Sequence, residues 1–196
     1  MRTRLADRGA VDYQVARHNE QWTDHALRTH VTAAHVAWLR PRTILDPACG
    51  DGSIVRAAHH IAPIEFARLG DISLPNHDTL RSWIPVDQGW SLVAGDVNDV
   101  LREEQTTFDM VILTEILEHL GDPVATLREA RRVGRYLIAS SPEMRHGQYD
   151  DNPEHLWMFD ASGYSQMLSE AGWVTREYTK LTFSDMPYDF QIWTCI

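Results

Sequence analysis

Two short stretches and one distant histidine carry residue types that do chemistry. The first is ILDPACGDGS, residues 44–53. Ile44 and Leu45 read as a buried strand end, and Asp46 places an acid where the strand stops. Gly50 and Gly52 let backbone approach a ligand, because no Cβ stands in the way. Ser53 opens a helix whose free N–H groups suit an anion. A dinucleotide fingerprint needs a third glycine, but that position holds Val55, and Asp51 inside the turn would repel a pyrophosphate. No Lys-Ser or Lys-Thr follows, so the loop is not a phosphate loop of the nucleotide-hydrolase type. A ligand bearing both an ammonium and a carboxylate fits it better than a diphosphate. The second stretch is TEILEHL, which groups Glu115, Glu118 and His119, and His155 follows in NPEHLWMF. Two Glu and two His are ligand types for Mg²⁺, Mn²⁺ or Zn²⁺. The same residues without a metal offer a general base. At spacings of three and four, Glu115 is expected to share a helix face with Glu118 or His119.

These residues need a scaffold, and the pattern supplies one. Residues 1–40 read as a helical cap closed by Pro41. Strands follow at 43–46, 64–72, 90–97, 108–114 and 134–142, the last stopped by Pro142. Helices alternate with them at 53–61, 74–84, 98–104 and 122–133, where Asp122 is the N-cap and Pro123 the first position. A late helix over 160–171 ends at Gly172, and two closing strands are separated only by FSDMP. So short a link forces an antiparallel pair. The expected fold is α/β: a Rossmann-like, seven-stranded, mostly parallel sheet with an antiparallel C-terminal hairpin and helices on both faces. Asp46, Asp71, Asp96 and Thr114 then fall at strand carboxyl ends on one edge, where such sheets bind ligands. Each acid alone reads equally well as a helix cap. Four in register read as a site.

At 196 residues the chain is expected to form one domain, a cap over 1–40 and a core over 41–196. No run of about 18 apolar residues is present, and the N-terminus lacks the apolar stretch of a secretory signal. Two cysteines, Cys49 and Cys195, make no disulfide framework, which points to a reducing, cytoplasmic setting. Cys49 reads as a small residue fitted to a tight turn rather than as a nucleophile. A net charge of −10 disfavours long nucleic acid as a partner.

Together these motifs resemble the class I S-adenosylmethionine-dependent methyltransferases, from about Ile44 to the C-terminus. The cofactor carries an ammonium, a carboxylate and a sulfonium. The resemblance implies cofactor contacts at Asp46, Ala48, Cys49, Gly50 and Gly52. It puts Asp71 and Ile72 at the ribose, Asp96 and Val97 at the adenine, and Thr114 at the end of the fourth strand of the core. The Lys-Pro-Gly-Gly turn of many relatives is shortened here to Gly134. TEILEHL with His155 resembles the ubiquinone-pathway-like and small-RNA 2′-O-methyltransferase-like members. That likeness implies His119 and Glu115 as catalytic residues, and Glu115, Glu118, His119 and His155 as ligands of a divalent metal. The function expected is O-methylation of a small-molecule acceptor. The alternatives are RNA 3′-terminal 2′-O-methylation, which a basic groove beside His155 would support and a uniformly acidic mouth would argue against, and a non-catalytic cofactor-binding partner of another methyltransferase. Tyr13 and Trp22 are candidate substrate-facing aromatics.

Overall fold

A computed structural model describes residues 1–5, 22–145 and 147–196. Tyr13 lies outside the described residues. Its sheet is built from β2 (Thr43–Asp46), β3 (Phe66–Asp71), β4 (Ser91–Ala94), β5 (Phe108–Thr114), β6 (Gly134–Met144), β8 (Thr175–Thr182) and β9 (Tyr188–Cys195). The strand order is β4-β3-β2-β5-β6-β9-β8. Pairs from β4 to β6 are parallel, and β9 runs antiparallel to both β6 and β8. The expected seven-stranded sheet with its closing hairpin is therefore observed.

The central strands are mostly apolar because both their faces are covered. Ile44, Met110 and Ile112 face a layer with α1 (Thr23–Leu39), α2 (Ser53–Ile61) and α3 (Leu74–Arg81). Leu45, Val111 and Leu113 face the opposite layer with α4 (Val97–Glu103), α5 (Pro123–Val133) and α6 (Ala161–Glu170). Alternation along a strand thus sorts neighbours into two cores. Asp122 and Asp160 cap α5 and α6 through their side chains, accepting from Ala125 and Gly163 N–H. Arg132 at the end of α5 donates to the Leu101 and Glu104 carbonyls, which satisfies the end of α4.

Three expectations need correction. The first 40 residues are not one helical cap: Arg2–Arg4 form a strand, β1, and the helix starts at Thr23. β1 pairs antiparallel with β7 (Trp157–Phe159), a strand too short to read from alternation. Pro142 does not stop β6, which continues to Met144. Past Ser140 the strand has lost β5 and pairs with β9 alone, so a missing N–H is tolerated there. Finally, the stretch after β5 is a single 3-10 turn, Leu117–His119, so Glu115 shares no helix face with Glu118 or His119.

β1 is seated closely. A Cβ on Gly163 would lie 2.1 Å from the Met1 carbonyl oxygen. Gly163→Ala is expected to lift β1 off, at a cost of roughly 1–3 kcal/mol for forced overpacking. Hydrogen exchange would then quicken at Arg2–Arg4 and Trp157–Phe159 and stay unchanged in β5. Unaltered protection of Arg2–Arg4 would show that this close seat is not what holds the strand.

Candidate functional site

The strands end along one edge, and a cavity of about 1040 Å³ opens there. Its first half is the loop after β2. Gly50 and Gly52 take φ of 59° and 71°, a region glycine enters without strain. Gly52 has a second constraint: a Cβ there would sit 2.5 Å from the Trp83 ring. Trp83 Nε1 in turn donates to the Asp51 carbonyl at 3.3 Å. The loop is tied to β3 twice, by Cys49 N–H to the Gly70 carbonyl and by Gly50 N–H to Asp71 Oδ2, each 2.8 Å. Asp71 Oδ1 accepts from Ser73 N–H and from the Asn76 amide. Asp51 accepts from Ser53 N–H, so it organises the helix start rather than facing the cavity.

Asp46 is buried, and its Oδ1 has no hydrogen-bond partner among the described residues. Burial, then the charge of Asp71, pushes its carboxyl well above the usual range. Such an orphaned oxygen is what a buried ammonium would satisfy. Ala48, Cys49, Gly50, Asp71, Ile72, Asp96, Val97 and Thr114 all line the cavity, as expected. Asp46 and Gly52 lie behind the wall rather than on it. Asp96 also caps α4, accepting from Asn98 N–H at 2.8 Å. Burial pushes the Cys49 thiol up, which fits packing and not nucleophilic attack.

The second half of the cavity begins at Glu115. This residue takes φ of 54°, an uncommon conformation for a side chain with a Cβ. Two contacts to one residue hold it there. Its N–H donates to the Ser140 carbonyl at 3.0 Å, and its Oε1 accepts from Ser140 Oγ at 2.6 Å. Next to it, Glu118 is only 2% exposed, and neither carboxylate oxygen has a partner among the described residues. Burial, then the charge of Glu115, pushes its carboxyl well up.

The two histidines are oriented through the same ring atom. His119 Nδ1 lies 3.0 Å from the Glu154 carbonyl, which can only accept, so Nδ1 carries the proton and Nε2 keeps its lone pair. His155 Nδ1 lies 2.6 Å from Asp150 Oδ2, and its Nε2 accepts from the Asn152 amide at 3.1 Å. The rings meet edge to face at 4.8 Å. One ligand atom from each of Glu118, His119 and His155 falls within 4.8 Å of the others. Glu115 is not among them. The expected set of four is thus a set of three, because the turn aims Glu115 at Ser140.

The remaining wall joins the start of α1 to the hairpin of β8 and β9. Trp22, His25, Phe190 and Tyr188 form a chain of ring contacts at 5.2–5.4 Å. Tyr188 Oη donates to Asp24 Oδ2 at 3.2 Å, and burial with that neighbour raises the phenol to about 12. Burial, then Arg28, lowers the His25 imidazole. Asp24, Arg28, Ser140 and Asp150 had no signal in the sequence. Their roles come from contacts between distant segments, which no spacing encodes.

Residues 45–136 match a family described as "Methyltransferase domain". No curated protein matches the chain. Solved structures share its fold at low identity. The pyocyanin biosynthetic protein PhzM superposes with a TM-score of 0.63 at 15% identity, over 90% of this chain and 59% of that one. This chain therefore spans 59% of the length of that relative. The Burkholderia thailandensis 1,6-didemethyltoxoflavin-N1-methyltransferase, with its substrate and S-adenosylhomocysteine bound, gives a TM-score of 0.67 at 15% identity, over 88% of this chain and 78% of that one. Magnesium protoporphyrin IX methyltransferase from Synechocystis PCC 6803, also with S-adenosylhomocysteine, gives 0.67 at 14% identity, over 95% and 88%. The chain has the Rossmann-like methyltransferase fold. Among the described residues no helix is long and apolar enough to cross a membrane.

Asp46→Asn separates the two consequences of burying that acid. A raised carboxyl favours folding fully below its unfolded range, and that support is lost as pH rises through the raised folded value. Without ligand, Asp46→Asn is expected to melt higher than wild type at pH 8, with the gain shrinking as pH falls toward 4. Its affinity for S-adenosylhomocysteine should fall by about tenfold or more. A variant less stable than wild type at pH 8 would sink this account of Asp46.

Proposed function

We propose that this chain is an S-adenosylmethionine-dependent methyltransferase acting on an oxygen of a small molecule. The observation that carries the reading is the buried Asp46 Oδ1, without a partner among the described residues, behind a glycine loop whose Gly50 N–H is held by Asp71. That arrangement fits a ligand with an ammonium at one end and a ribose diol further along. When bound, the cofactor supplies a methyl group already activated on a sulfonium. The protein's part is alignment and removal of one proton. His119 Nε2, with its tautomer set by the Glu154 carbonyl, takes the proton of the acceptor hydroxyl. Glu115, held by Ser140, offers a carboxylate beside the path of the methyl group and favours positive charge there.

The lining supports a small acceptor. Eight Asp and Glu side chains border the cavity and one Arg does, among the described residues. A polyphosphate backbone would be repelled, which disfavours the RNA reading. The ordered Glu115, His119 and His155 weigh against a partner that only binds cofactor. Two buried, unpaired cysteines suit a reducing, cytosolic setting.

A specific feature favours a second form of the same reaction. Glu118 has two unsatisfied buried oxygens, and each histidine bonds through Nδ1 to a carbonyl or carboxylate, the usual support for a metal-binding imidazole. These three residues would hold a divalent metal, which would lower the pKa of the acceptor hydroxyl. His155 would exchange its Asn152 contact for the metal.

Calorimetric titration with S-adenosylhomocysteine tests the reading, with binding expected near micromolar, roughly −8 kcal/mol. No binding would refute it. His119→Ala should leave that affinity within about threefold and lower turnover by roughly 10²–10⁴, read as S-adenosylhomocysteine release with an acceptor found by screening. Equal loss of binding and turnover would remove His119 from the chemistry. A Mg²⁺, Mn²⁺ or Zn²⁺ binding signal lost in His155→Ala would select the metal-assisted form. Activity indifferent to EDTA would select the general base.

A further inference from the structure

A second cavity, of about 510 Å³, lies at the end of the sheet opposite the glycine loop. Its wall comes from the end of α1, the first residues of β6, the start of β8 and the last residues of β9. It shares no residue with the first cavity. α1 runs from Asp24 and His25 on one wall to Trp38 on the other, about 20 Å at the rise of an α-helix. The volume suits a small organic molecule.

The side chains of this wall are short of partners. Thr194 is 3% exposed, and its Oγ1 has no hydrogen-bond partner among the described residues. A buried hydroxyl in that state costs folding free energy and marks a place for a missing partner. Arg176 is the extra residue of a β-bulge: Thr175 faces Cys195 and Glu177 faces Thr194, which leaves Arg176 no partner position on β9. A bulge of this kind re-aims a side chain. The Arg135 guanidinium lies over the Tyr136 ring at 5.1 Å. Neither arginine makes an ion pair or a hydrogen bond among the described residues. Trp38 borders the cavity with an indole that is 73% exposed, a free stacking face. Glu177 lines the cavity too, and His35 Nδ1 holds its carboxylate at 3.5 Å.

We propose that this cavity binds a planar aromatic anion, a ring that bears a carboxylate or a phosphate. The ring stacks on Trp38, the anion pairs with Arg176 and Arg135, and Thr194 Oγ1 gains its hydrogen bond from the ligand. The charge follows from the guanidinium forks, which engage two oxygens of one oxyanion at once. The ring follows from Trp38 and Tyr136. A chain of net charge −10 gives an anion no long-range attraction, so short contacts carry the binding. The site is separate from the methyltransferase reading and does not rest on it.

Calorimetric titration of the whole chain with naphthoate and with naphthyl phosphate tests this, with naphthamide and inorganic phosphate as controls. At least one aromatic anion is expected to bind with a dissociation constant of about 100 μM or lower, and each control at least about tenfold more weakly. The tighter of the two anions identifies the charged group of the ligand. Arg176→Gln should weaken that anion by about tenfold. Thr194→Val gives a readout that a structural role would not: without ligand it should melt higher than wild type, because a methyl replaces an unsatisfied hydroxyl, yet it should bind the anion about threefold to tenfold more weakly. Filling the first cavity with S-adenosylhomocysteine should leave the anion's affinity unchanged. Binding of neither anion would overturn the inference. Equal binding of inorganic phosphate would mean an adventitious ion only, and loss of the anion on adding S-adenosylhomocysteine would place it in the first cavity; either overturns it. So would unchanged affinity in Arg176→Gln or in Thr194→Val. The methyltransferase reading stands through all of these outcomes.

Discussion

The hydrogen bond from Gly50 N–H to Asp71 Oδ2 is the contact on which the cavity depends. It joins the ends of two parallel strands, β2 and β3, across the gap where each chain turns away. One carboxylate oxygen fixes the glycine loop, and the other holds Ser73 N–H and Asn76. Asp71 is thus partly spent on the protein itself. Its position is set by the loop, and the loop's position is set by it. Trp83 closes this arrangement from outside, because its ring occupies the space that any Cβ on Gly52 would need. A ligand that enters meets backbone already ordered, so little of its binding free energy goes into ordering the loop.

The other half of the cavity is held by side chains that are strained or unsatisfied. Glu115 keeps a left-handed backbone under a double contact from Ser140. Glu118 is buried without a partner, and Asp46 has an orphaned oxygen. Each of these features costs folding free energy, of order 1–3 kcal/mol. They lie together at one end of a sheet whose middle is apolar. Stability comes from the two cores, and the edge is where it is given up for chemistry.

Much of this was legible in the sequence because it is local. β2 and its loop, β5, the Asp122 cap and the closing hairpin follow from alternation, caps and short links. So did the set of acids at strand ends. What was missed is non-local. β1 finds its partner at residues 157–159, and no pattern in three residues announces that. Pro142 reads as a stop until β5 is seen to have ended beside it. Glu115 and Glu118 sit three apart, and that spacing suggests a shared helix face. The observed 3-10 turn instead turns Glu115 toward Ser140.

The short ladder of β1 and β7 has a kinetic side. Met1 and Asp160 are 159 positions apart in the chain, and a contact of that span pays its closure entropy before it returns anything. β1 pairs with β7 outside the main sheet, so its ladder rests on that closure. Leu5 N–H bonds the Leu156 carbonyl at 2.8 Å, and Leu156 N–H bonds the Glu118 carbonyl at 2.7 Å. The loop that bears His155 is therefore stitched at one end both to Leu5 and to the turn that carries Glu118. The wall around His155 thus depends on a long-span contact, whereas the glycine loop is closed by one that spans 21 positions.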